Sequence, residues 1–153
     1  MDYTIVKWLH ILSSTLLFGT GLGTAFFMFC ANRSRNIQAI AIVTRYVAIA
    51  DWTFTTPSVI FQPASGFYLA IKAGYPLMSG WILWSFMLYL LAGACWLPVV
   101  WLQLRLRDMA ATAARDNTAL PDRYWRYERI WTLLGIPAFF SLIIVFYLMV
   151  AKP

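Results

Sequence analysis

The stretch KWLHILSSTLLFGTGLG, residues 7–23, decides the class of fold. It lies inside an apolar segment of about residues 3–30 whose only charged side chain is Lys7. A helix needs ~20 apolar residues to cross ~30 Å of hydrocarbon, and lipid offers no hydrogen bonds to an open backbone. The segment therefore predicts a transmembrane helix. His10, the single histidine of the chain, would lie about 10 Å in from Tyr3.

The rest of the chain repeats this character. It is 61% hydrophobic and 12% charged, whereas soluble domains are usually ~25% charged. Further apolar segments run over about 51–73, 80–104 and 130–151. The composition and these lengths predict an all-α polytopic membrane protein. Residues 1–153 would form a single transmembrane domain, with four helices in one bundle.

The basic residues predict the orientation of these spans. All nine arginines lie in the links 31–50 and 105–129, and the three lysines lie elsewhere. Arginine-rich links are typical of the cytoplasmic side, so both termini are expected on the outer side of a bacterial inner membrane. This clustering also explains the net charge of +6 without nucleic acid as a partner.

The links themselves carry structural signals. The 31–50 link begins with a polar turn and then either lies along the membrane interface or extends the second span. The short link 74–79 predicts that the second and third spans are antiparallel neighbours. Pro121 and Asp122 predict the start of a helix.

A row of polar residues runs along the second span at spacings of 4, 3, 4 and 3, which places them on one helical face. Such a face turns toward the bundle interior, either for hydrogen bonds between helices, worth ~0.6 kcal/mol each, or as the polar wall of a cleft. Pro57 and Pro63 are expected to bend this helix. The polar residues are Asp51, Thr55, Ser58, Gln62 and Ser65.

Counting along the helices places several of these side chains at one depth. At ~1.5 Å per residue, His10, Ser65 and Met87 share a layer near the outer side. Histidine and methionine are both axial ligands of haem iron, and haem needs only one or two protein ligands. The alternative is a histidine that only makes a structural hydrogen bond. The predicted cofactor site consists of His10, Met87, Lys7, Gln62 and Ser65, with His10 as haem-iron ligand, and no catalytic residue is assigned.

A ladder of small residues marks the first span. Thr15, Gly19 and Gly23 recur every four residues, so this face predicts close packing of another helix. The partner would be within the bundle, in a homo-oligomer or in another membrane protein. The same glycines would alternatively leave room for a flat cofactor. A copper-handling reading would draw on His10 and on Met28, Met78, Met87, Cys30 and Cys95.

Several short motifs together resemble a known family. They are Lys7-Trp8-Leu9-His10, the glycines at 19, 21 and 23, Pro57 with Gly66, Gly135-Ile136-Pro137 and the ending Tyr147 to Pro153. Nearly the whole chain resembles the bacterial predicted integral membrane proteins grouped as domain-of-unknown-function family 2269. The resemblance implies a four-helix inner-membrane protein and no established activity.

A more distant resemblance is to the J-type protoporphyrinogen oxidase, a four-helix membrane protein that binds b-type haem. Lys7 and His10 match its K-x-x-H element, and Lys152 with Pro153 matches its C-terminal Lys-Pro. The membrane domain of copper-resistance protein D has a similar first-helix histidine and glycine pattern. The oxidase's Asn-Glu-x-Pro element corresponds here to RYERIWTLLGIP, in which Arg126 and Pro137 alone echo it. Haem binding is the part of this resemblance that the sequence retains.

The sequence thus supports two hypotheses on function. The first is a membrane redox protein that binds haem b near His10 and passes electrons to a quinone or another acceptor. The second is a non-enzymatic membrane component, such as an assembly factor, a complex subunit or a small transporter, with no cofactor. Whether the protein is an enzyme stays open at this point.

Overall fold

The computed structural model describes residues 2–152, and every regular element in that range is helical. Five α-helices and one π-helical turn follow each other along the chain. They are α1 (Tyr3–Ser34), α2 (Ile37–Ala50), the π turn (Asp51–Thr55), α3 (Thr56–Lys72), α4 (Gly80–Asp116) and α5 (Asp122–Ala151).

Local capping explains where these helices begin and end. The Asp2 side chain accepts a hydrogen bond from the Thr4 N–H at 3.0 Å and caps α1. Arg35 ends α1 in the left-handed conformation, with φ 57°, and the next residue, Asn36, caps α2. The start of α5 at Asp122, directly after Pro121, is confirmed.

The 31–50 link extends the second predicted span. Ala50, Asp51, Thr55 and Thr56 all have right-handed helical dihedral angles, so α2 runs through the π turn into α3 without a break. Residues 37–50 of this link are therefore helical and do not form a loop.

Three of the helices, α1, α4 and α5, are long and apolar enough to cross a membrane, which supports three of the four predicted spans. Each continues beyond its predicted span, to Ser34 in α1, to Asp116 in α4 and back to Asp122 in α5. The second span, at 51–73, corresponds to the π turn and α3, and as a membrane crossing it stays a prediction.

The hydrophobic core lies toward the arginine-rich end of the helices. There α2 packs against both α1 and α4, and α4 packs along α5. Large side chains with almost no exposed surface, such as Met28, Ile40 and Leu106, fill this region. Other members of the core are Val47, Val99, Leu102, Ala110, Tyr124 and Trp131.

One buried polar pair is built into this core. The Tyr124 hydroxyl donates to Asn32 Oδ1 at 2.7 Å, which joins α5 to the end of α1. Burial is the main reason that the pKa of Tyr124 is raised, and the charge of Glu128 adds to it, while the bond to Asn32 opposes both. Tyr124 therefore stays a neutral donor.

Toward the opposite end the helices separate. The backbones of α3 and α4 make little contact, although the short link predicts neighbours. Only side chains bridge them, as with Phe67 and Phe86, whose ring centroids are 5.3 Å apart. Phe18 of α1 stacks on Phe139 of α5 at 5.1 Å. Helix α1 packs on α3 and α4 on α5, so two helix pairs join at one end and diverge at the other.

We expect Tyr124→Phe to lower the free energy of unfolding by about 1–3 kcal/mol. The change removes the donor to Asn32, whose amide nitrogen already lacks a partner among the described residues. Denaturant or thermal unfolding of the detergent-purified protein measures the loss. Tyr127→Phe is the control, because the Tyr127 hydroxyl makes only an exposed hydrogen bond with Arg123. Equal losses in both variants would contradict the role of the buried pair.

Candidate functional site

The polar face predicted from the sequence is buried in the structure. All five of its side chains are 7% exposed or less, and two of them, Gln62 and Ser65, bond His10 of α1. The prediction that this face turns inward is confirmed. Its members are Asp51, Thr55, Ser58, Gln62 and Ser65.

At the outer end of this face, His10 contacts Ser65. His10 Nδ1 and Ser65 Oγ are 2.7 Å apart, and the His10 residue is 8% exposed. The Ser65 hydroxyl can donate to the Phe61 carbonyl oxygen, 2.7 Å away. In the tautomer with its proton on Nδ1, His10 donates to Ser65 Oγ and Nε2 keeps a free lone pair.

A second contact holds the backbone of His10. Gln62 Nε2 donates to the His10 carbonyl oxygen at 2.8 Å. Gly66 lies beside the ring, since a Cβ built there would be 3.5 Å from His10 Cε1. Residues on successive turns of α3 thus hold the ring and the backbone of His10 against α3.

Pro63 leaves a backbone carbonyl of α3 without its usual hydrogen-bond donor. A proline has no N–H, so the carbonyl four residues earlier, that of Val59, loses its helical partner. The Tyr89 hydroxyl of α4 donates to this carbonyl at 2.7 Å. The bond links α3 to α4 across the gap between the two helix pairs. The sequence analysis missed Tyr89, although the position four residues before Pro63 is a signal for such a donor.

A cavity of about 540 Å³ occupies this gap. Its walls come from α1, α3, α4 and α5, and most of its side chains are apolar or aromatic. His10 and Gln62 are among its few polar groups, together with Ser14, Ser85 and Tyr89. The apolar lining includes Leu17, Phe18, Phe67, Phe86, Val145 and Phe146.

Two lysines line the same cavity near the helix ends. Lys7 is one turn before His10, and Lys152 follows the last turn of α5. Lys152 Nζ lies 3.3 Å from the Tyr75 hydroxyl and 5.0 Å from the centre of that ring. The site therefore combines one imidazole, apolar walls and cations at its edge.

The structure brings together most, but not all, of the predicted cofactor site. Lys7, His10 and Gln62 line the cavity, and Ser65 lies against the histidine. Met87 does not line the cavity, and its side chain is 53% exposed on the outside of α4. Ser85 and Tyr89 occupy the cavity wall at that level instead.

The remaining predicted features lie outside this cavity. A Cβ at Gly19, Gly21 or Gly23 would meet no atom within 4 Å, so the glycine ladder does not pack on a helix of the described chain. Cys30 is exposed, and residues 2–152 contain no group of three or more His, Cys, Asp or Glu side chains placed to hold a metal ion. Pro153, which belongs to the C-terminal motif, lies outside the described residues.

Comparison with known proteins now gives the family. Residues 4–153 match the family described as "Predicted integral membrane protein (DUF2269)", so the chain belongs to it and is an integral membrane protein. No curated protein and no solved structure matches the chain.

We expect Tyr89→Phe to destabilise the protein by about 1–3 kcal/mol, because the Val59 carbonyl would lose its donor. The loss should be smaller when Pro63→Ala is also present, since the new N–H can bond the same carbonyl. A double-mutant cycle of unfolding free energies measures this coupling. Tyr147→Phe, at a side chain 67% exposed, is the control. The same cost for Tyr89→Phe in both backgrounds would contradict the assignment.

Proposed function

We propose that this membrane protein binds haem b in the cavity between its helix pairs, with Nε2 of His10 as an axial ligand of the iron. The observation that carries the proposal is the state of the imidazole. Nδ1 is bonded to Ser65, Nε2 has no hydrogen-bond partner within residues 2–152, and the ring lines a cavity of about 540 Å³.

The donor set suits haem better than other metal groups. Zinc sites take three or four protein ligands, whereas haem iron takes one or two. A metal-bound histidine usually donates its second ring N–H to an outer partner, which sets its orientation and raises its basicity. Ser65 is placed to do this for His10.

The side chains around His10 also suit the ring and the carboxylates of haem. Aromatic and aliphatic side chains such as Leu17, Phe67 and Phe146 form walls that fit an apolar macrocycle. Lys7 and Lys152 are cations at the cavity edge and would bind its carboxylates. Since Met87 points away, it does not supply a second ligand; besides His10, the cavity lining offers Met149 and Tyr89 as donor types that known haem proteins use.

Each residue then has a physical task. His10 binds the metal, Ser65 orients the ring, and Gln62 holds the His10 backbone. The apolar walls keep water from the site. Bound haem would supply one-electron transfer, which supports an oxidoreductase role with a quinone or another lipid-soluble molecule as electron partner.

The topology of the protein forms part of the same proposal. The four crossings would be α1, the rod formed by the π turn and α3, α4, and α5. The arginine-rich helix ends would face the cytoplasm of a bacterium, and the cavity, with Lys7 and Lys152 at its edge, would open toward the outer side of the inner membrane.

We expect the purified protein to show a Soret band that His10→Ala abolishes. Ser65→Ala should keep the band but weaken haem affinity about 10- to 100-fold, as the loss of an outer partner does. Haem titration of the apoprotein, followed by absorption, measures both effects. Ser34→Ala is the control, because Ser34 lies at the far end of α1 and its hydroxyl bonds Ala31 and Asn36, which do not line the cavity. A full Soret band in His10→Ala would contradict the proposal, as would a haem-replete wild type without the band.

We expect Lys7→Gln and Lys152→Gln each to weaken haem binding several-fold. Each change removes an exposed cation at the cavity edge, where an ion pair with a carboxylate is worth about 0.2–1 kcal/mol. Lys72→Gln is the matched control, because Lys72 does not line the cavity. Equal affinities in all three variants would show that the lysines do not hold the carboxylates.

The glycine ladder favours a second candidate function, a component of a larger membrane assembly or homo-oligomer. Gly19 and Gly23 present a face of α1 that no side chain of the described chain fills. Small residues at this spacing allow another helix to approach closely. Light scattering of the purified protein tests this function. A mass above one chain that Gly19→Ile with Gly23→Ile reduces would support it, and a monomeric wild type that binds no partner would oppose it.

A further inference from the structure

The other end of the polar face holds a buried carboxyl group. Asp51 is 6% exposed, and its Oδ2 atom has no hydrogen-bond partner within the described chain. The salt bridges among residues 2–152 join Arg107 to Asp108 and Arg115 to Asp116, so neither involves Asp51. The proposed haem site does not use this group.

Two hydrogen-bond donors lie beside the Asp51 carboxyl group, Thr55 on the next turn and Trp96 on α4. Thr55 Oγ1 and Trp96 Nε1 are themselves buried without a partner among the described residues. The carboxyl group thus lies beside two neutral donors and forms no ion pair with a cation.

The backbone at this point is also unusual. Asp51 opens the π turn, and the Thr56 N–H bonds to the Asp51 carbonyl five residues earlier. The Thr56 hydroxyl donates to the same carbonyl at 3.0 Å. Pro57 has no N–H, so the helix cannot keep its regular bonding across this turn. Single π turns inside α-helices are frequent at functional sites.

The charged groups of the packed helices leave Asp51 uncompensated. The π turn packs against α1, α2 and α3, and Trp96 belongs to α4. The cationic side chains of these helices toward the arginine-rich end are exposed or half-exposed, and none forms an ion pair with Asp51. They are Arg33, Arg45, Arg105, Arg107 and Arg115. Near the other helix ends lie Lys7, His10 and Lys72, which are also unpaired with Asp51.

An ionised carboxylate in this setting is costly, because neither water nor a cation surrounds it. The Trp96 N–H cannot coordinate a metal cation, and residues 2–152 contain no group of three or more His, Cys, Asp or Glu side chains placed to hold one. A proton is therefore the species that neutralises the group.

We propose that Asp51 is a proton-binding site inside the membrane, with the side chains of Thr55 and Trp96 beside its carboxyl group. It lies at one end of the buried polar face, and the Ser65–His10 pair lies at the other. Ser58 and Gln62 continue the face between them, about one side chain per helical turn. The proposal concerns the protein with or without haem.

Infrared difference spectroscopy of the full-length protein in lipid tests the proposal. Spectra at low and high pH should contain the carbonyl band of one protonated carboxyl group, and Asp51→Asn should remove it completely. The band should shift within minutes in deuterated water, because the site exchanges with solvent. Asp108→Asn is the matched control, since the Asp108 side chain is 58% exposed, and it should leave the band unchanged.

Variants that keep the carboxyl group test its surroundings. Thr55→Val and Trp96→Phe each remove one donor, so each should move the Asp51 carbonyl band to higher frequency. This result is available even if Asp51→Asn does not fold. A wild type without the band, a band that survives in Asp51→Asn, a band that does not exchange, or a band unmoved by both donor variants would overturn the proposal. None of these outcomes depends on the Soret band.

Discussion

A polar group inside a bilayer must find its partner within the protein, and the pairing of α1 with α3 follows from that constraint. His10 brings an imidazole and a backbone carbonyl to the contact. Ser65 takes the ring N–H, and Gln62 donates to the carbonyl. These bonds fix both the height and the rotation of one helix against the other, which contacts between apolar side chains alone would not do, since lipid is as apolar as they are.

Two prolines in α3 lack the N–H that a helical hydrogen bond needs, and the structure compensates for each in a different way. Pro63 leaves the Val59 carbonyl without a helical donor, and Tyr89 reaches it from α4. Just before Pro57 the chain forms a π turn, and the Thr56 hydroxyl donates to the Asp51 carbonyl. The first solution ties the two helix pairs together in the region where their backbones diverge. The second leaves the buried carboxyl group of Asp51 beside the side chains of Thr55 and Trp96.

From the sequence, the depth of a side chain in the membrane and the polar face of a helix could be predicted. The rotation of each helix about its own axis could not. The 4-3-4-3 spacing is a property of one helix, so the buried polar face followed from it directly. Counting residues placed His10 beside Ser65 because both faces were marked by polar side chains. It failed for Met87, since depth alone does not give the direction of a side chain and each residue turns it by about 100° around the helix axis. The glycine ladder showed a similar limit, because small residues indicate that a helix can approach but not which helix does.

The position of the core explains why the cavity lies where it does. The arginine-rich ends of α1 and α4 are held by α2, whose Ile40 and Val47 belong to the same core as Tyr124 and Trp131 of α5. Within residues 2–152 no helix takes the corresponding place at the opposite end, so the pairs α1–α3 and α4–α5 separate there and leave the cavity. A bundle with its packing at one end combines a rigid base with an open binding site. His10 lies where that opening begins, held by α3 on one side and free at Nε2 on the other.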